Sequence, residues 1–153
     1  MKETEKIEIM HFSQEGYVED GKNVYETGKK MIELADKVAD EGYDAVFLMG
    51  VGGTWDEFMQ LEYLMNKFGD RDLEVYLIHA AEWNAMGHKR MTEKSVVLTA
   101  SESGTTPEVL EAVKKMKGMG VRVYAMTKPE GPIGQAVGAE NCVAMASDHG
   151  SGG

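Results

Sequence analysis

Four hydroxyl side chains crowd into one eight-residue stretch, Ser101-Glu-Ser-Gly-Thr-Thr-Pro-Glu108, where Ser101, Ser103, Thr105 and Thr106 surround Gly104. Neutral hydroxyls and free backbone N–H groups at the start of a helix are suited to an oxyanion such as phosphate, and a glycine lets the backbone approach it closely. Thr106 suits a helix N-cap, Pro107 a first turn in which its missing N–H costs nothing, and Glu108 complements the helix dipole. A hydroxyl-rich turn with a single capping residue would account for the same residues without a ligand, since capping needs only one hydroxyl.

A second stretch, Gly50-Val-Gly-Gly-Thr-Trp-Asp-Glu57, has the same look. Its Thr54-x-x-Glu57 spacing is a capping box, and tight-turn glycines would explain Gly52 and Gly53. Trp55 stands where a dinucleotide fingerprint needs its third glycine, and no Walker-type lysine follows. Two such loops facing one crevice favour a ligand site. Asp56, Glu57 and Glu102 oppose an anion, at roughly 2 kcal/mol per unit pair about 8 Å apart in an effective dielectric of about 20. Three or four charge-assisted hydrogen bonds of about 1.5 to 3 kcal/mol each outweigh one such repulsion. Lys128, Lys89 and Arg90 are candidates to compensate, or plain solvated surface charges.

Glu82, in Ala80-Ala-Glu-Trp83, is a candidate acid, base or acceptor for sugar hydroxyls, and equally a first-turn helix carboxylate. His79 and His88 form no recognisable metal-ligand spacing, so no metal site is expected, and nothing calls for a cofactor. Ser101 and Ser103 lack a G-x-S-x-G elbow or a histidine at an interpretable spacing, which disfavours a nucleophilic hydrolase. Trp55, Trp83 and the 12 methionines read as packing.

The elements that must position these residues alternate. Asp44–Met49, Glu74–Ile78, Ser95–Thr99, Val121–Met126 and Asn141–Met145 are short apolar runs, as in strands covered on both faces. Val24, Met31, Leu34, Ala35 and Val38 share one helical face before the first, and Phe58, Leu61, Leu64, Met65 and Phe68 share one after it. Val109, Leu110, Val113 and Met116 mark a third helix closed by Gly118 and Gly120, and Pro132 to Val137 a short fourth. This rhythm predicts a three-layer α/β/α sandwich on a five-stranded parallel sheet, with ligands beyond the carboxyl ends of the strands where the order reverses. The tail from Ser147 to Gly153 reads as flexible, with no helix to cover that end of the sheet: either a helix was lost or another chain supplies it.

The 153 residues, 42% hydrophobic and 27% charged, suffice for one domain with one core. Sixteen Lys plus Arg against 26 Asp plus Glu leave a net charge of -10 without a basic cluster, which disfavours nucleic acid. Neither a secretory signal nor an apolar run long enough for a membrane span is visible. The lone Cys142 cannot form an internal disulfide, so the expectation is a soluble, cytoplasmic protein.

Ser101 to Glu108 resembles the S-x-S-G-x-T-x-E signature of the SIS (sugar isomerase) domain family, whose fold is a five-stranded flavodoxin-like sandwich. The resemblance runs from about Tyr43 to Ala146. Gly52-Gly-Thr54 is similar to the family's first ligand loop, Ala80-Ala-Glu-Trp83 to its small-small-Glu-aromatic segment, and Thr127-Lys128 with Pro132-Ile133 to the loop after the fourth strand. The branch it most resembles is the first SIS domain of fructosamine 6-phosphate deglycases, with the isomerase half of glucosamine-fructose-6-phosphate aminotransferase.

That resemblance implies a phosphorylated sugar or sugar-amine bound by Ser101, Ser103 and Thr106, with the main chain of Glu102, Gly104 and Thr54 assisting. The ligand set is Gly52, Gly53, Thr54, Ser101, Glu102, Ser103, Gly104, Thr105 and Thr106. It implies aldose–ketose isomerase or deglycase chemistry whose main catalytic residues lie in a second SIS domain, with Glu82 the one in-chain candidate. The chain stops about where the first domain's final helix would begin, so the expectation is an isolated first half, or a fragment, of a longer enzyme. A homodimer or larger assembly would cover what that leaves bare. The alternative is a non-catalytic phosphosugar sensor or scaffold, which usually carries a basic helix-turn-helix where residues 1–42 offer an acidic-leaning helix.

Overall fold

The computed structural model describes residues 14–70 and 72–144. The sequence's alternation becomes α1 (Gln14–Glu41), β1 (Val46–Gly50), α2 (Gly53–Phe68), β2 (Val75–His79), α3 (Ala80–Met86), β3 (Val96–Ser101), α4 (Pro107–Gly118), β4 (Arg122–Thr127), α5 (Pro132–Val137) and β5 (Cys142–Val143). All strands are parallel, in the order β2-β1-β3-β4-β5. The order reverses between β1 and β3, so the crevice of this fold opens above their carboxyl ends.

Period-two alternation sends neighbouring strand residues to opposite layers. Phe47, Met49, Val97 and Val123 pack under α3, α4 and α5 through Trp83, Val109, Val113, Met116, Ile133 and Val137. On the other face Val46, Leu48 and Val75 meet Phe58 and Met65 of α2, while Val96 and Tyr124 meet Leu34 and Val38 of α1. Each such side chain, fully buried, contributes about 1.5 to 3 kcal/mol. No described helix is long and apolar enough to cross a membrane.

Three sequence expectations change. Val24 and Ala35 do not join the sheet-facing side of α1 but are exposed, as are Leu61, Leu64 and Phe68 on α2. The segment after β2 is a helix of its own, α3, too short for its periodicity to be read. The fifth strand is only Cys142–Val143 within the described residues; Met145 and the tail expected to be flexible lie outside them.

Candidate functional site

β1 delivers the chain into α2 almost without a loop. A Cβ on Gly50 would lie 2.7 Å from the Trp55 nitrogen, so the helix start can sit on the strand end only because that residue is glycine. The N-cap position is Gly52, whose carbonyl accepts the Asp56 N–H at 3.1 Å. The capping box is therefore not formed. Thr54 lies within the first turn and no side chain caps the helix, leaving its leading N–H groups without intrahelical acceptors.

β3 ends in Ser101, which anchors the hydroxyl loop. Its Oγ lies 3.0 Å from Thr106 Oγ1 and accepts the Gly104 N–H at 3.2 Å. Two hydroxyls that share one hydrogen bond keep one proton between them to donate elsewhere. Ser103 Oγ accepts both the N–H and the hydroxyl of Thr105, at 3.2 and 3.1 Å. Gly104, at φ 69°, makes the turn, and its N–H closes back onto Ser101. Thr106 occupies the N-cap position of α4 with Pro107 behind it, but its hydroxyl points to Ser101 instead of capping.

Behind the loop stands a brace that sequence reasoning missed. Thr127, wholly buried at the end of β4, donates its hydroxyl to the Ser101 carbonyl at 2.6 Å, and the Gly104 carbonyl accepts the Ile133 N–H of α5 at 3.1 Å. Only the hydroxyl type and the end-of-strand position of Thr127 hinted at this. Cys142 sits beside the brace, 3.9 Å from the Thr127 carbonyl; burial pushes its thiol up, so it is a packed thiol and not an activated nucleophile.

Between the two strand ends lies a cleft of about 230 Å³, lined by Val51, Thr54, Ala100, Ser101, Glu102, Ser103, Thr106 and Val109. That is several times the roughly 30 Å³ share of one water. The cleft brings together Thr54, Ser101, Glu102, Ser103 and Thr106 of the expected set. Gly52, Gly53, Gly104 and Thr105 shape its two loops without lining it. Val51, Ala100 and Val109 are additions, indistinguishable by type from core residues. Among the described residues Glu102 is the one ionisable side chain in the lining, and Asp56 and Glu57 are exposed outside it.

The neighbouring candidates have other partners. Arg90 grips Glu74, whose carboxyl is held below its usual range by that contact and by the Tyr76 hydroxyl, so this cation is committed away from the cleft. His79 accepts the Ala81 N–H at 3.3 Å and caps α3, with its ring against Trp55. Glu82 is exposed on that helix, which Asn84 ties to the first turn of α4 through the Glu108 carbonyl at 2.8 Å. Trp83 is packed in the core and Trp55 half-buried, each indole N–H lacking a hydrogen-bond partner among the described residues.

No family model matches the chain. Over 93 residues it is 32% identical to fructosamine deglycase FrlB of Bacillus subtilis, across 60% of this chain and 28% of that protein. Over 138 residues it is 24% identical to a glutamine–fructose-6-phosphate aminotransferase of Pyrococcus horikoshii, across 89% of this chain and 23% of that one. A solved Bacillus subtilis structure, assigned as a phosphosugar isomerase, superposes with a TM-score of 0.65 at 27% identity, over 78% of this chain and 36% of that one. The chain thus spans about a quarter to a third of these relatives' lengths.

Proposed function

The chain is a SIS domain, and on that premise we propose that its cleft binds the phosphate of a phosphosugar. The observation that carries this reading is the convergence of Thr54, Ser101, Ser103 and Thr106 on one cleft at the β1/β3 reversal, with the uncapped starts of α2 and α4 facing it. Capping alone does not explain hydroxyls that turn away from the helix ends they would cap. The shared Ser101–Thr106 proton, the Ser103 and Thr54 hydroxyls and the leading N–H groups are donors to the phosphate oxygens. The main chain of Glu102 and Gly104, with Gly52, Gly53 and Thr105, shapes the rest.

In the same proposal the domain serves a sugar-amine 6-phosphate deglycase or aldose–ketose isomerase. The phosphate is held here while ring opening, proton transfer and C–N cleavage or rearrangement proceed at the other end of the sugar. Glu82, beyond the end of β2, is the carboxylate we assign to proton transfer as general base, and further catalytic groups come from a second SIS domain.

The test is thermal denaturation with fructose 6-phosphate, glucose 6-phosphate and glucosamine 6-phosphate, against the unphosphorylated sugars and inorganic phosphate. A ligand at a hundred times its Kd stabilises by about 2.7 kcal/mol, a shift of about 5 to 11 °C for a chain of this size. Ser103→Ala should lose the shift and keep its cooperative melt. Glu82→Gln should keep the shift but abolish any solvent-deuterium exchange at the sugar carbons. A cooperatively melting protein that no phosphosugar shifts would sink the reading.

A further inference from the structure

α1 has two apolar faces, and the sheet uses only one. The helix is 28 residues, about 42 Å long, and it meets the sheet through Leu34 and Val38 near its end. A second row lies about 160° around the helix: Val18, Tyr25 and Ile32, every seventh residue, 55%, 66% and 64% exposed. Three residues after each comes a small one, Gly21, Gly28 and Ala35. This is a heptad pattern with large side chains at one seam position and small ones at the other. Glycine in a helix interior costs about 1 kcal/mol relative to alanine. A side chain at Gly21 or Gly28 would meet nothing within 4 Å, so no described part of the chain requires glycine at either place.

We propose that this face pairs with the same face of a second copy of the chain, the two helices antiparallel. In the register that sets Tyr25 against Ala35 of the second copy, Ile32 falls on its Gly28, so large meets small along the seam. Parallel pairing would set Tyr25 on Tyr25 and glycine on glycine, a clash beside a gap. The same antiparallel register brings Lys22 of each copy opposite Asp36 of the other, two ion pairs at the rim, and opposes the helix dipoles. Lys29 falls near the two-fold axis, but its charge is matched within its own helix by Glu26 at 2.9 Å, and it lies 4.3 Å from the centre of the Tyr25 ring. A seam of two to three heptads is at the small end of interfaces, below about 1,200 Å² in total, so the dimer should dissociate on dilution.

Sedimentation equilibrium of the full chain over a wide concentration range tests this. The expected result is a monomer–dimer equilibrium that Ile32→Glu abolishes, with far-UV circular dichroism and the cooperative melt unchanged because Ile32 is exposed. Asp36→Lys should weaken the dimer several-fold, and Lys22→Glu in the same chain should restore it. A spin label at Glu19→Cys, in a Cys142→Ser background, reads the orientation. The antiparallel register puts Glu19 level with Glu41 of the second copy, so the labels stand about 33 Å apart along the axis, whereas a parallel pair brings them side by side. A monomer at every concentration, a dimer indifferent to Ile32→Glu, or a short label distance would each overturn the proposal.

Discussion

Thr127→Val tests whether the hydroxyl loop owes its shape to a residue outside the cleft. The substitution keeps the volume and removes the donor that the Ser101 carbonyl receives at 2.6 Å, leaving that carbonyl the longer bond from the Gly104 N–H at 3.2 Å. A net neutral hydrogen bond contributes about 1 kcal/mol and a wholly orphaned buried group costs up to about 3, so a carbonyl that keeps one weaker bond should cost about 1.5 to 2. At about 2 to 4 °C per kcal/mol for a chain of this size, Tm falls by about 3 to 8 °C in a calorimetric or circular-dichroism melt. The phosphosugar-induced shift should shrink as well, because Ser101 positions Thr106, although Thr127 does not line the cleft. Thr127→Ser separates the two effects: it loses a buried methyl worth about 1 kcal/mol but regains the donor, so its ligand shift should recover. A Tm within about a degree of the parent, or a serine variant no better than valine at binding, would refute the brace.

Gly134→Ala should be among the more damaging single changes, since its Cβ would lie 2.4 Å from the Lys128 carbonyl oxygen and 2.7 Å from that of Pro129; we expect a loss of about 2 kcal/mol in urea unfolding. Ser101→Ala removes half of the Ser101–Thr106 pair and should weaken phosphosugar binding more than Thr105→Val, whose hydroxyl bonds only within the loop, as read by calorimetric titration. Asp44 contributes to the acid-side sensitivity of the fold. Partial burial raises its pKa, but hydrogen bonds from the Thr92 and Ser95 hydroxyls outweigh that and hold it below its ordinary value. Its stabilisation is complete above about pH 3.9 and is lost as pH falls through the lowered value, so the deficit of Asp44→Asn in urea unfolding should be largest near neutrality and narrow in acid.

What the sequence disclosed, it disclosed through periodicity. Runs such as Val96-Val-Leu and Arg122-Val-Tyr-Ala-Met carry the strands because a parallel strand buried on both faces needs nothing else. The hydroxyl loop stood out because no helix cap uses four hydroxyls. Thr54 and Glu57 misled, since a capping box in sequence becomes one in space only if the helix begins at its first residue, and Gly50 and Gly52 let α2 begin earlier. α1 misled in the opposite way. Two apolar stripes on one helix overlap in a periodicity reading: Ala35 belongs to the outer row, and Val24 falls between the two. The sequence marked Thr127 only as part of the loop after the fourth strand; its bracing role was not legible, because it depends on β4 lying beside β3, a fact of strand order.

Among the described residues no cationic side chain lines the cleft, and this has a consequence for salt. A site that holds phosphate with lysines draws on a long-range attraction that ions screen, within about 8 Å at physiological ionic strength. Hydroxyls and backbone amides act only at contact, where mobile ions do not intervene. Salt should therefore not weaken binding here, and by screening Glu102 against the bound anion it should raise affinity slightly, the opposite of the trend at a lysine-lined site.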